Sequence, residues 1–155
     1  MRLQLVLFGL FLVLPTQLGA ESGLPLPRFV SLGADEVNLR TGPGLRYPVA
    51  WVFVRKALPV EIVAEFEQWR RVRDFEGAEG WVHKAMLSGK RTVLVIGDGR
   101  TLHARPDPKS RALARAETRV QGALRACRDD WCEVTLQSIR GWMRRAYLWG
   151  IYPEE

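Results

Sequence analysis

The sequence predicts an all-β protein built as two tandem small β-barrels. Three observations carry that expectation. The chain after residue 20 is written twice, its apolar residues alternate with period two, and Gly, Pro and Asp cluster at short intervals. The size agrees. At 155 residues there is room for one ordinary domain or two small ones. With 47% hydrophobic and 26% charged residues, the composition excludes a long disordered chain, a collagen-like repeat and a large multidomain enzyme.

Residues 1–20 come first and read as an address. Arg2 is a lone positive charge, Leu3 to Leu14 is apolar apart from Gln4 and Gly9, and Leu18-Gly19-Ala20 ends small. That order matches a secretory signal peptide, cut between Ala20 and Glu21. Its apolar run of about twelve residues is shorter than the ~20 a membrane span needs. The remainder is expected to be exported, to the periplasm or outside the cell, and not to span a membrane.

The repeat then organises the rest. Gly80-Trp81-Val82 aligns with Gly141-Trp142-Met143 at offset 61, and Trp69-Arg70-Arg71-Val72 with Trp131-Cys132-Glu133-Val134 at offset 62. Val37-Asn38-Leu39-Arg40 is placed against Leu102-His103-Ala104-Arg105 at offset 65. The units are expected over residues 28–90 and 91–152. Val60, Ile62 and Ala64 alternate with Glu61, Val63 and Glu65, and Val120, Gly122, Leu124 and Ala126 alternate in the same way. Each stretch predicts a strand with one face buried. Turns are expected at 41–44, 77–80, 97–99 and 106–108. The stretch 109–117 has helical propensity, but its repeat partner is aromatic and β-branched, so it is expected to be a loop followed by a strand.

Cys127 and Cys132 are the only cysteines. In an exported chain an even count at short spacing reads as a disulfide. The first unit carries Glu65 and Arg70 at the aligned positions. One hairpin is therefore expected to be closed covalently and the other by an ion pair, taken as exposed and worth little. No metal ligand set is apparent, and no cofactor is expected.

These residues carry a resemblance. The succession Val37-Asn38-Leu39-Arg40-Thr41-Gly42-Pro43-Gly44, then Trp69-x-x-Val72, then Gly80-Trp81-Val82 resembles the bacterial SH3-like (SH3b) domain. The second unit keeps the Trp and the Gly-Trp but has Ala104 and Asp107 where the pattern has an aliphatic residue and Gly. The resemblance covers about residues 30–152. It implies SH3-like barrels and a non-catalytic module that binds cell-wall peptides or mediates envelope interactions.

Site candidates follow from that resemblance and from chemistry. Trp69 and Trp131 each begin a strand after a turn, where SH3 relatives line a ligand groove; a flat aromatic offers contact area at low entropic cost. Tyr147 stands where similar domains have a groove Tyr, while the first unit has Met86. This favours the second unit, with Trp131, Tyr147 and Arg144 binding. Capping or core packing is the competing role for each aromatic. Trp81 and Trp142 are expected to pack, facing the partner domain. Residues 21–89 carry nine Lys/Arg and nine Asp/Glu, whereas residues 90–155 carry thirteen and eight. The basic second unit suits anionic partners, and the leader argues against nucleic acid. Neither His83 nor His103 recurs, and no nucleophile elbow or paired acid and base is present, so no catalysis is expected. The expected partner is a cell-wall peptide or, alternatively, another envelope protein.

Overall fold

The structure, a computed structural model, describes residues 22–155. The expected signal peptide and its Ala20–Glu21 junction lie outside the described residues. Two seven-stranded antiparallel sheets, one per barrel, account for the chain. The first holds β1 (Arg28–Leu32), β2 (Val37–Arg40), β3 (Val49–Phe53), β4 (Pro59–Phe66), β5 (Trp69–Arg73), β6 (Glu79–His83) and β7 (Leu87–Ser88). Its spatial order is β3-β2-β6-β5-β4-β1-β7. The second holds β8 (Thr92–Val95), β9 (Arg100–His103), β10 (Ala112–Ala116), β11 (Gln121–Arg128), β12 (Trp131–Leu136), β13 (Ile139–Arg144) and β14 (Leu148–Trp149), in the same order with each number raised by seven. Short 3-10 turns at Lys84–Met86 and Arg145–Tyr147 lead into the last strand of each. The helix-prone stretch is strand β10, as the repeat implies.

The repeat is structural, with one correction. Arg40 pairs with Trp81 and His103 with Trp142, and Thr41 N–H donates to Pro48 O as Ala104 N–H donates to Arg111 O. The equivalence there runs at offset 63, so Leu39 matches Leu102 and Arg40 matches His103. The expected offset of 65 is two residues too long. A shift of two leaves the in-and-out pattern of a strand unchanged, so alternation cannot detect it. Burial can: Leu39 and Leu102 are both core residues, and each lies over the glycine of the Gly-Trp motif. A Cβ on Gly80 would meet Leu39 and the Arg40 carbonyl; one on Gly141 would meet the His103 carbonyl and Leu102.

A second correction concerns the long strands. The register skips Val63 between Ile62 and Ala64, and Arg125 between Leu124 and Ala126. These bulges reverse the alternation beyond them. Glu65 and Cys127, expected in solvent by strict alternation, turn to the core side opposite Arg70 and Cys132. Cys127 and Cys132 are bonded, with Cα atoms 4.0 Å apart. Glu65 takes salt bridges from Arg28 (2.5 Å) and Arg70 (3.2 Å), and its side chain is 1% exposed. The hairpin ion pair is thus buried, not exposed. Ser22 adds two hydrogen bonds from its N–H and hydroxyl. Arg70 also donates to the carbonyls of Glu67 and Trp69, closing the turn.

The barrels share an apolar interface because β8 is buried on both faces. Val93 and Val95 join the second core, while Leu94 joins the first beside Leu32 and Val60. Thr92 Oγ1 donates to Ala57 O at 2.7 Å across the junction. Phe29 meets Trp149 edge-on at 4.9 Å and Tyr152 at 4.8 Å, and the Tyr152 hydroxyl donates to Glu61 Oε1 at 2.7 Å. Trp81 and Trp142, expected to pack, are both partly buried and take no part in these aromatic contacts. Arg128 instead covers the ring of Trp142 at 5.7 Å. Trp149 serves the interface because it lies on the terminal strand that carries the chain back against the first barrel.

Candidate functional site

The second barrel carries a cleft of about 260 Å3 where β9, the start of β12, the end of β13 and the following 3-10 turn converge. Trp131 opens β12 and pairs in register with Arg144, the last residue of β13. Arg144 lies over the indole with its guanidinium carbon 4.6 Å from the ring centre. His103 meets the same ring edge-on at 5.4 Å and 89°. Tyr147 ends the 3-10 turn, and Arg100 lies over it at 4.1 Å. Three of the four expected binding residues, Trp131, Arg144 and Tyr147, line this one cleft. Trp69 occupies the equivalent position on the first barrel, with His83 edge-on at 5.4 Å.

The geometry assigns different work to these groups. Trp131 is only 7% exposed and Trp69 9%. The Trp131 ring is held between Arg144 and His103, so it builds the wall and offers little open face. The accessible chemistry belongs to Arg100, Arg144 and the half-exposed Tyr147. Cation–aromatic stacking orders each guanidinium and leaves its N–H edges for an anion. Arg100 Nε is committed to Ile96 O at 2.9 Å. Arg144 has a loose contact with the exposed Asp130 at 3.7 Å.

Sequence reasoning missed Arg100 and His103. His103 was set against Asn38 by the misplaced register; its true counterpart is Arg40. Arg40 donates to the Tyr47 carbonyl, and His103 Nδ1 lies 3.3 Å from the matching carbonyl of Ser110. A carbonyl only accepts, so this contact is a hydrogen bond when His103 carries a proton on Nδ1. The signal for Arg100 was available: a lone cation directly after Gly97-Asp98-Gly99, at the start of a strand.

A larger cleft of about 530 Å3 lies on the other side of Arg144, with Ala146, Leu148, Ile151 and Pro153 in its apolar wall. Arg145, beside it, is locked by bonds to the carbonyls of Asp129 and Tyr152. Arg144 borders both spaces, so a chain crossing from one to the other passes over its guanidinium. The smaller cleft has no thiol or carboxylate in its lining, and no cluster of metal-ligating groups occurs among the described residues. The smaller cleft thus presents two ordered guanidiniums and no carboxylate, whereas Asp130 lines the larger one.

Comparison with known proteins bears on the fold. Two solved structures, those of NlpC2 and NlpC1 from Trichomonas vaginalis, are similar at 12% and 14% identity, each with a TM-score of 0.37. The alignments cover 79% and 87% of this chain but 48% and 50% of those chains, so it spans about half their length. No curated protein matches the sequence. The family model for the bacterial SH3 domain matches twice, at residues 33–89 and 98–150, one match on each barrel. With most of its length covered by that repeated match, the chain belongs to the bacterial SH3 domain family.

Proposed function

We propose that the protein is a non-catalytic, exported binding module of the cell envelope whose second barrel holds peptidoglycan or its peptide stems. The observation that carries this reading is the pair of stacked cations, Arg100 on Tyr147 and Arg144 on Trp131, around a cleft without a lining carboxylate. Peptide stems present carboxylates on a short extended chain, which such a cleft complements in both shape and sign. The leader in residues 1–20 delivers the protein to the periplasm or the exterior, where that polymer lies.

Cosedimentation of the purified protein with protein-free sacculi, at low and moderate salt, tests it. Arg144→Gln and Arg100→Gln are suitable variants because both side chains lie outside the hydrophobic core, whereas Tyr147 packs against it. Each is expected to weaken pelleting by roughly tenfold while leaving the fold intact. Wild-type pelleting that vanishes at moderate salt, or that both variants retain, would defeat the reading.

One observation favours a second reading, an adaptor for another envelope protein without wall affinity. Strand β3 is a sheet edge and exposes Val49 and Trp51, the latter 61% accessible, with Leu45 in the loop before it. An apolar sheet edge of that kind suits pairing with an extended protein segment. Crosslinking that captures one envelope protein through Trp51, together with no sacculus binding, would select this reading.

A further inference from the structure

A third cleft, of about 510 Å3, lies between the two barrels and is independent of the one proposed to meet the wall. Leu32 and Ala57 from the first barrel and Ala123 from the second form its apolar floor. Lys56, Lys90 and Arg91 line it, with no carboxylate among the lining residues. We propose that this junction is a binding site for an anionic group, a carboxylate or a phosphate, held chiefly by Lys56 and Lys90.

The carbonyls of both lysines are held by side-chain donors, that of Lys56 from across the junction. The Lys56 carbonyl accepts from Gln121 Nε2 of the second barrel at 3.2 Å, and the Lys90 carbonyl accepts from Ser31 Oγ of the first at 2.8 Å. Thr92 Oγ1 pins the carbonyl of Ala57 beside them. Two main-chain anchors are thus rigid, yet both lysines are exposed and form no salt bridge among the described residues. Arg91, by contrast, has its terminal nitrogens on Glu155 and the Gly150 carbonyl.

Two buried polar atoms at this junction have no hydrogen-bond partner among the described residues: Arg91 Nε and Gln121 Oε1. An unmet buried donor or acceptor is costly, so folded proteins supply it with water or ligand. Uncompensated charge, a cleft and one unmet donor, Arg91 Nε, converge at one place, whereas Gln121 Oε1 is an acceptor outside the cleft lining that an anion does not satisfy. An ammonium is a point charge that accepts carboxylate and phosphate alike, which sets the ligand class.

The test is an amide chemical-shift titration of the labelled, purified protein with inorganic phosphate and, separately, with N-acetylalanine. Sodium chloride at matched ionic strength serves as the control. Saturable shifts are expected at Gly33, Ala57, Lys90 and Thr92. The double variant Lys56→Gln/Lys90→Gln should weaken them by about tenfold, two exposed charge contacts being worth about that much together. Saturation by phosphate alone identifies a phosphate-bearing ligand, and saturation by N-acetylalanine alone a peptide carboxylate. Arg144→Gln should leave the titration unchanged, so the junction site and the wall-binding cleft fail separately. Shifts that chloride reproduces, or that survive unchanged in the double variant, would overturn the proposal.

Discussion

Glu65 shows how one residue ties sequence to stability. Burial alone would raise its carboxyl pKa. The Ser22 N–H, the Arg28 guanidinium and the Ser22 hydroxyl outweigh that and hold it at about 2. An unfolded Glu titrates near 4.5, so folding is favoured by about 3 kcal/mol while the group is charged in both states. That contribution is complete above the unfolded value and disappears as pH falls toward 2. Denaturant unfolding should therefore show stability declining between pH 5 and pH 2. Glu65→Gln should cost about 3 kcal/mol at pH 7 and flatten that decline. A variant with the wild-type pH slope would remove Glu65 from this role. Tyr152 is the opposite case: burial, then the hydrogen bond to Glu61, push its hydroxyl well above the usual phenol range. It stays protonated and serves as a fixed donor across the barrel interface.

The hairpins β4–β5 and β11–β12 are the same element built with different chemistry. Both carry a bulge, both turn through a residue of positive φ (Glu67 and Asp129), and both bring the second pair from the turn, Glu65–Arg70 and Cys127–Cys132, onto the core side. The first closes with a buried carboxylate between two guanidiniums, the second with a disulfide. A loop this short gains on the order of 2 kcal/mol from its crosslink in the chain-entropy account. Reduction of Cys127–Cys132 is expected to lower the melting temperature by about 4–8 °C without loss of the fold. A scanning calorimetry pair with and without reductant checks this. Melting curves that coincide would show the bond to be stabilising nothing. The ion-paired hairpin is insensitive to reductant and sensitive to acid, so the two barrels answer to different stresses.

At the scale of the molecule, the two barrels are expected to unfold as one unit because β8, a strand of the second sheet, sends a side chain into the first core. Leu94 is 1% exposed and lies in the first core, although its strand neighbours Val93 and Val95 lie in the second. The aromatic cluster of Phe29, Trp149 and Tyr152 and the Glu61–Tyr152 bond extend that interface. Leu94→Ala should cost about 2–5 kcal/mol. It should also lower the unfolding of both barrels together, read as one calorimetric transition displaced as a whole. A first barrel that melts at its wild-type temperature in that variant would contradict a shared core. Rigidity here matters for function. The proposed junction site depends on that packing, because residues of both barrels line its cleft.

Much of this was written in the order of residues. The repeated Trp and Gly-Trp motifs, the alternation of apolar residues and the turn clusters determined an all-β chain with the same barrel twice. The spacing of the two cysteines pointed to their bond, and the motifs brought Trp131, Arg144 and Tyr147 forward together. Tertiary structure alone decided the rest, for one physical reason. A period-two pattern records which side of a strand is apolar. It is silent about a shift of two residues, which misplaced His103. It is also silent about a bulge, which turned Glu65 and Cys127 inward. And it does not say what covers a second apolar face, which is why Leu94, Trp149 and Tyr152 emerged as the interface only when the barrels were seen packed together.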